Sequence, residues 1–266
     1  MNWWDLIVFF WPALVIGGAL ALAGSAVGTF VLLRRDSLLA LAIPEVVALG
    51  AAVAMKYGWS SSFLAALAAV LVALVLLAWT RLRRQEGLLL PCLYIGALCA
   101  SFLLIANAGR HLEDLQNFLM GIDVAVTPTE AAYATPALLV AAVIAVGLWR
   151  RWLLLAQSPT TAQLARLYPV LWELLFLCLL GLVVLVGTHA MGVVMVLALL
   201  FLPAAAVLPW ARRIAPAIVL AMIVAELDFA LGFYLSNTMT WPFSQSVGGV
   251  GFALFLLSHI VGLLVR

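Results

Sequence analysis

Long apolar runs alternate with short clusters of charged residues along the chain, and this alternation constrains the fold more than any other feature. A bilayer core of about 30 Å requires about 20 apolar residues for each helical crossing. Cutting the sequence at the charge clusters leaves nine segments of about that length, at residues 6–33, 37–55, 62–79, 88–107, 131–149, 171–187, 190–208, 214–235 and 248–264. The pattern predicts an all-α, polytopic transmembrane helix bundle. Nine spans are expected, with eight spans and one re-entrant piece as the alternative.

Connections between the segments are short, so we expect a single transmembrane domain over residues 1–266 and no soluble domain. The sixth and seventh segments are predicted to be separated by a very tight break at Gly187, Thr188 and His189. Of the 266 residues, 67% are hydrophobic and 9% are charged, which is far outside the range of soluble proteins. The protein is therefore expected to contact the lipid bilayer along most of its length.

Charge and cysteine content exclude further classes. The net charge is only +2, without a basic face or an acidic tail, so a nucleic-acid partner is not expected. The three cysteines lie within apolar runs at unrelated spacings, which predicts neither disulfides nor a thiolate metal site. We interpret Cys92, Cys99 and Cys178 as small core residues.

Arginine positions predict the orientation in the membrane. Eleven of the thirteen lysines and arginines fall at alternate ends of the nine segments, and only Lys56 and Arg110 fall on the other side. Cationic residues accumulate on the cytoplasmic side of membrane proteins. The sequence therefore predicts a multi-pass membrane protein with its N-terminus outside and its C-terminus in the cytoplasm.

Three acidic residues are predicted to lie at membrane depth, where ionisable groups usually face a protein interior or a water-filled path. Glu45 is expected about 15 Å into the second segment, directly after Pro44, whose ring nitrogen has no N–H to donate. An acid beside a locally opened helix favours a substrate path, with a hydrogen-bonded or protonated interior carboxyl as the equal alternative. Glu226 and Asp228 are two residues apart and point to nearly opposite faces, so at most one of them belongs with Glu45.

Two other patterns concern helix packing and helices outside the bilayer. Gly24 and Gly28 are spaced so that another helix backbone could approach closely, and we expect this packing within the subunit rather than between subunits. Ser158 as N-cap and Pro159 as first residue predict a short polar helix that continues through Thr160 to Leu167. Such a helix either rests on the membrane surface or docks a partner.

Catalytic and nucleotide-binding motifs are missing from the sequence. It contains no His-Glu-x-x-His, no Gly-x-Ser-x-Gly and no paired-aspartate protease motif, which disfavours a membrane enzyme. It also lacks the P-loop pattern Gly-x-x-x-x-Gly-Lys-Ser/Thr, so ATP-driven work would need a separate ATPase chain.

Five stretches, in order, resemble the permease subunits of ATP-driven importers for zinc, manganese and iron. The longest resembles that family's Gly-x-Leu-Leu-Val-x-Ala-Leu-Leu-x-x-Pro-Ala-Ala, and the others resemble its Arg-Arg-Met-Ser-Leu, Tyr-Leu-Phe-Gly, Gly-Leu-x-Leu-Ser and Leu-Pro patterns. In this chain they are residues 193–205, 34–38, 118–121, 232–236 and 241–242.

This resemblance implies an ABC importer permease fold, a location in the bacterial cytoplasmic (inner) membrane and a set of partners. The implied assembly is a homodimer with the translocation path on its two-fold axis, a separate ABC ATPase and an extracytoplasmic metal-binding protein. The family's cytoplasmic coupling helix aligns with residues 157–168, where its Asp and Glu are replaced; the aligned contact residues are Ser158, Pro159, Thr160, Thr161 and Ala162. No covalently bound cofactor is implied. A divalent metal ion is the implied substrate, and ATP acts through the partner chain.

One departure from the family lies in the second segment. The family carries Asp-x-x-x-His there, a pair of ligands one helical turn apart. The aligned residues in this chain are Leu41 and Glu45, so one oxygen ligand replaces a mixed oxygen and nitrogen pair. Glu45 is therefore the expected metal ligand, and oxygen ligation favours manganese or iron over zinc. Leu41, Pro44, Glu226 and Asp228 complete the expected substrate path.

Two further functions fit the same residues. An ion- or proton-coupled secondary transporter could use Glu45 with Glu226 or Asp228 as a relay, although the two halves show no convincing repeat of the kind common in such carriers. An ABC permease of the same fold could also carry a substrate other than a free metal ion.

Overall fold

A computed structural model describes residues 3–59, 61–82, 86–105, 126–157 and 169–265. These residues form ten α-helices and one short 3-10 turn, without a β-strand among them. The helices are α1 (Trp3–Leu33), α2 (Ser37–Tyr57), α3 (Ser62–Leu82), α4 (Glu86–Ile105), α5 (Pro128–Gly147), α6 (Trp149–Gln157), α7 (Pro169–Met191), α8 (Val193–Val207), α9 (Ile214–Met239) and α10 (Phe243–Val265). The 3-10 turn, Leu208–Trp210, follows α8.

The predicted all-α transmembrane bundle is confirmed, and each of the nine predicted segments coincides with a helix. Within the described ranges, seven helices are long and apolar enough to cross a membrane: Val8–Leu33, Ser37–Tyr57, Pro128–Gly147, Val170–Met191, Val193–Trp210, Ile214–Met239 and Phe243–Gly262. α3 and α4 contribute shorter apolar stretches, Ser62–Val75 and Leu90–Ser101. The seven spans together with α3 and α4 account for the nine segments predicted from charge clusters.

One predicted helix boundary is wrong. The break between the sixth and seventh segments lies at Gly192, five residues after the predicted start at Gly187, because α7 continues through His189 to Met191. Gly192 has φ of 83°, a left-handed value that favours glycine, so it can separate two helices without a loop. Gly187 instead serves close packing, since a Cβ there would lie 2.7 Å from Leu20 and 2.8 Å from Val196.

α1 is the central helix of the bundle. It packs most extensively against α5, α8 and α9 and also contacts α7, while α2 packs mainly against α3 and α4. α7 touches both α1 and α2, and α10 covers α8 and α9. The core is therefore shared by helices distant in sequence, and it contains many alanines as well as larger apolar residues.

Glycines allow the closest helix approaches. Gly28 of α1 lies against the backbone of Leu200 in α8, so closely that a Cβ at residue 28 would overlap the Leu200 carbonyl. A Cβ at Gly24 would lie 3.6 Å from the Leu199 carbonyl. The predicted packing of Gly24 and Gly28 within the subunit is thus confirmed. Gly50 plays a similar part in α2, where a Cβ would lie 2.5 Å from the Cα of Ala66 in α3.

The outer surface of the bundle is apolar, as expected where side chains meet lipid tails. Leu103, Val143 and Phe9 are each more than 70% exposed. The interpretation of the cysteines as core residues is wrong, because Cys92, Cys99 and Cys178 are all exposed. Position in an apolar run cannot distinguish core from lipid-facing residues in a membrane protein, since both environments are apolar.

Two short elements shape the helix ends. α5 begins after Thr127, which is part of a capping box: the Thr127 hydroxyl accepts from the Glu130 N–H, and the Glu130 carboxylate accepts from the Thr127 N–H. α6 was not predicted from the sequence. It is amphipathic, with Trp152 fully buried and Arg150 and Arg151 exposed.

Candidate functional site

Glu45 lies in the middle of α2, which runs without interruption from Ser37 to Tyr57 despite containing Pro44. Because Pro44 has no N–H, the carbonyl of Ala40 lacks its usual helical donor at the level of Glu45. Leu41 lies one turn before Glu45 and is partly exposed. Leu41 and Glu45 therefore lie on the same side of α2, close to the Ala40 carbonyl that has no helical N–H donor.

Glu45 is a largely buried acid. The residue is 9% exposed, and its Oε2 finds no hydrogen-bond partner within the described part of the chain. Ile43, Val46 and Val47 beside it on α2 belong to the main hydrophobic core. Removing a carboxylate from water without a partner costs several kcal/mol, so a bound cation would stabilise the ionised form strongly.

Asp228 is enclosed within the subunit. It is fully buried in α9, and neither carboxyl oxygen has a hydrogen-bond partner among the residues that the structure describes. Its Oδ2 lies against Gly251 of α10, at a point where a Cβ on residue 251 would overlap it. The Leu202 side chain of α8 also meets this position, 3.0 Å from such a Cβ. Asp228 therefore occupies the junction of α8, α9 and α10.

Glu226 faces the opposite side of α9. A Cβ on Gly18 of α1 would lie 3.5 Å from its Oε2, and the residue is only partly buried. The prediction that Glu226 and Asp228 point to different faces is thus confirmed. Neither acid lies with Glu45, since α2 packs mainly against α3 and α4 whereas Glu226 and Asp228 contact α1 and α10.

No group of three histidine, cysteine, aspartate or glutamate side chains comes together in metal-binding geometry within the described ranges. His189 is partly buried and packs edge-on against Phe63, with ring centroids 5.3 Å apart. His259 is exposed and its Nδ1 lies 3.3 Å from the Phe255 carbonyl. Within one subunit, Glu45 therefore offers a single carboxylate ligand rather than a complete site.

Several predicted functional residues lie outside the described part of the chain. These are the expected docking residues Ser158, Pro159, Thr160, Thr161 and Ala162, together with the stretch 118–121. The flanking helices are described: α6 ends at Gln157 and α7 begins at Pro169. The prediction of a docking helix at 157–168 therefore stays a prediction.

Sequence reasoning missed a buried charge cluster at the arginine-rich end of the bundle. Arg34 was counted only as one of eleven arginines setting the orientation, yet its side chain is 8% exposed. Its Nε donates to Asp36 Oδ2 at 3.0 Å, and its guanidinium pairs with Glu173 of α7. The guanidinium also lies 4.4 Å from the centre of the Phe176 ring. The sequence did contain one signal for this cluster. Glu173 is an acid at the start of an apolar segment, and an acid in such a position indicates a cationic partner nearby.

Comparison with known proteins gives consistent results over almost the whole chain. The sequence profile of the ABC 3 transport family matches residues 7–262. An uncharacterized membrane protein of Cyanophora paradoxa is 28% identical over 259 residues, which cover 95% of this chain and 85% of that protein. The manganese import system permease protein ScaB of Streptococcus parasanguinis is 23% identical over 257 residues, covering 95% of this chain and 90% of ScaB.

The fold also resembles a solved structure. A chain of PsaBC from Streptococcus pneumoniae, determined in complex with a Fab, superposes with a TM-score of 0.80 at 21% identity. The match covers 94% of this chain and 90% of that chain. The helix arrangement described above is therefore one already seen in an experimental structure.

Proposed function

The chain belongs to the ABC 3 transport family, and from this premise we propose that it is the permease subunit of an ATP-driven importer for divalent metal ions. Manganese is the first candidate cargo because the similar protein ScaB is a manganese import system permease protein. Family membership makes the chain a transport component, and ATP hydrolysis is assigned to a separate partner chain.

The buried Glu45 carboxyl carries the proposal. An unpartnered carboxylate oxygen in an apolar setting attracts a cation, and oxygen ligands suit manganese or iron better than zinc. Two copies of the chain arranged about a two-fold axis would present two Glu45 carboxylates to one path. Together with waters or the opened carbonyl beside Pro44, such a pair would provide a weak, reversible site, which transport requires.

The proposed assembly contains two copies of this chain, two ATPase subunits and an extracytoplasmic metal-binding protein. Residues 157–168 would dock the ATPase, and closure of the ATPase dimer on ATP would switch the path between outward and inward access. The assembly would lie in the bacterial cytoplasmic membrane, with the N-terminus outside and the C-terminus in the cytoplasm. The eleven arginines on one side support this orientation.

Of the two acids on α9, Glu226 is the better candidate for a second position along the path. It is partly exposed beside Gly18, a glycine that leaves space next to the carboxyl. Asp228 is sealed between three helices of the same subunit, so a cation could reach it only if α8, α9 and α10 moved apart.

Substitution of Glu45 tests the proposal. The chain is reconstituted with its ATPase in liposomes, and uptake of radioactive Mn²⁺ is measured with and without ATP. Glu45→Gln removes the charge but keeps the shape, so uptake should fall to background while ATPase assembly is retained. Lys56→Gln, an exposed change on the same helix, is the control and should import normally.

Three results would contradict the proposal. Unchanged Mn²⁺ uptake by Glu45→Gln would remove Glu45 from the path. ATP-independent uptake by liposomes that contain the chain without an ATPase would instead identify an ion-coupled secondary transporter. ATP-dependent transport of another solute, with no metal uptake, would identify a permease of this fold with a different cargo.

A further inference from the structure

We propose that a buried cluster around Arg34 positions both flanks of the ATPase-docking segment and links them mechanically to α2. The cluster consists of Arg34 and Asp36 at the turn between α1 and α2, Trp152 of α6, Glu173 and Phe176 of α7, and Phe30 of α1. This inference rests on the proposed function, since it assigns a role in the coupling of ATP hydrolysis to transport.

The polar half of the cluster joins the α1–α2 turn to α7. Arg34 donates to Asp36 at 3.0 Å and pairs with Glu173, which lies 139 positions later in the chain. The three side chains are only 8%, 18% and 21% exposed, respectively. Charge-assisted bonds of a guanidinium are directional, and removing one partner of a mostly buried pair leaves a desolvated charge behind. This ion pair therefore resists relative movement of the two helix ends.

The aromatic half extends the connection to α6. Trp152 is fully buried, with its ring 5.4 Å from that of Phe30 and 5.6 Å from that of Phe176, both edge-on. The Arg34 guanidinium lies 4.4 Å from the centre of the Phe176 ring, and this contact joins the polar half of the cluster to the aromatic half. A second contact, Arg151 over Trp172 at 4.5 Å, also joins α6 to α7. α6 and α7 are the two helices that border residues 158–168.

The turn that carries Arg34 passes the connection to α2. The Arg35 N–H donates to the Leu32 carbonyl, and the Asp36 N–H donates to the Val31 carbonyl. These two hydrogen bonds are the pair that defines a Schellman motif at a helix C-terminus. Arg35 holds the left-handed position at φ of 59°, where glycine is usual. α2 starts at Ser37, directly after Asp36. Glu45 follows Asp36 by nine residues, or about 13 Å along the helix.

These contacts form a continuous path from the flanks of the docking segment to the helix that carries Glu45. A displacement of α6 and α7 is transmitted to Arg34 through Trp152, Phe176 and Glu173. From Arg34 it is transmitted to α2 through Asp36. The alternative, that the cluster only stabilises the fold, predicts a loss of protein or of ATPase binding but no change in the number of ions imported per ATP.

The test uses the full chain reconstituted with its ATPase and measures Mn²⁺ imported per ATP hydrolysed. Glu173→Gln and Arg34→Gln should lower this ratio about five- to tenfold, in the range usual for coupling between sites, while the ATPase rate stays within about twofold. Arg34→Lys keeps the charge but loses the planar fork, so it should give an intermediate ratio. Arg212→Gln, an exposed arginine outside the cluster, is the control and should keep the wild-type ratio. Wild-type ratios in Glu173→Gln and Arg34→Gln would overturn the proposal, as would equal losses of ATPase binding and transport.

A second measurement does not depend on the cargo. Leu38→Cys, at the exposed start of α2, is placed in a background without the three native cysteines, and its reaction with a water-soluble maleimide is followed. Trapping with ATP and vanadate should change the labelling rate with an intact cluster but not with Glu173→Gln. No change in either background would overturn the link to α2. If the wild-type complex imports no Mn²⁺ yet shows the nucleotide-dependent labelling, the proposed cargo fails and the Arg34 cluster stands.

Discussion

The close approach of α1 and α8 at Gly28 makes a quantitative prediction about stability. A Cβ at residue 28 would overlap the Leu200 carbonyl and would lie 3.2 Å from the Leu200 Cα. These are backbone atoms inside a helix, so no rotation of a side chain can relieve the contact. Gly28→Ala must therefore push the two helices apart over the region where α8 contains Pro203.

Two opposing effects determine the size of the change. Alanine is favoured over glycine within a helix by about 0.5–1 kcal/mol. Overpacking a well-packed interior costs about 1–3 kcal/mol, and here the obstacle is backbone, so the upper part of that range applies. We expect Gly28→Ala to lower the free energy of unfolding by roughly 1–2 kcal/mol. For a chain of this size this corresponds to a fall in Tm of about 2–8 °C.

Gly24→Ala is the matched control one turn earlier on the same helix face. Its Cβ would lie 3.6 Å from the Leu199 carbonyl carbon and oxygen, which is ordinary van der Waals contact. It should therefore be neutral or slightly stabilising because only the helix-propensity gain applies. The assay is the fraction of monodisperse protein that remains after heating in detergent, followed by size-exclusion chromatography. If Gly28→Ala melts at the same temperature as Gly24→Ala, the helices are not as close as described and the reasoning is refuted.

Two further substitutions test the candidate site and the turn between α1 and α2. The double variant Leu41→Asp, Glu45→His restores the Asp and His ligands that the resembling family carries at these two positions. The ratio of Zn²⁺ to Mn²⁺ uptake should then rise about tenfold or more. An unchanged ratio would show that residues 41 and 45 do not select the ion. Arg35→Gly should raise stability by about 1 kcal/mol, since glycine adopts a φ of 59° without the cost paid by other residues, whereas Arg35→Ala should give no such gain. Equal Tm values for Arg35→Gly and Arg35→Ala would contradict the strained turn.

Periodic apolar runs predicted the helices well because a bilayer imposes a minimum length that is visible in one dimension. Each of the nine predicted segments coincides with a helix. The boundary between α7 and α8 was misplaced because Gly187, Thr188 and His189 look like a turn in sequence. That stretch is helical, and Gly187 packs closely against Leu20, a residue far away in the chain.

Burial was the weakest prediction from sequence. The cysteines and the exposed leucines of α3 and α4 are as apolar as the core, so composition could not separate lipid-facing from interior positions. The spacing of Glu226 and Asp228 did predict that they face different sides of α9, because residues two apart on a helix point in nearly opposite directions. Only the arrangement of the helices shows that Glu226 lies beside Gly18 and Asp228 beside Gly251.

The amino-acid sequence by itself determined the membrane class, the helical segments, the distribution of positive charge and the single acid beside Pro44, because each follows from local hydrophobicity and spacing. The tertiary structure alone decided that Asp228 is sealed inside the subunit, that Glu45 lies apart from both acids of α9, and that the cluster around Arg34 and Trp152 joins α1, α6 and α7. These features depend on which helices approach one another, and that choice is made by van der Waals fit between small residues such as Gly28 and a distant backbone. A single segment shows that small residues such as Gly24 and Gly28 allow close approach, but it does not show which helix approaches them.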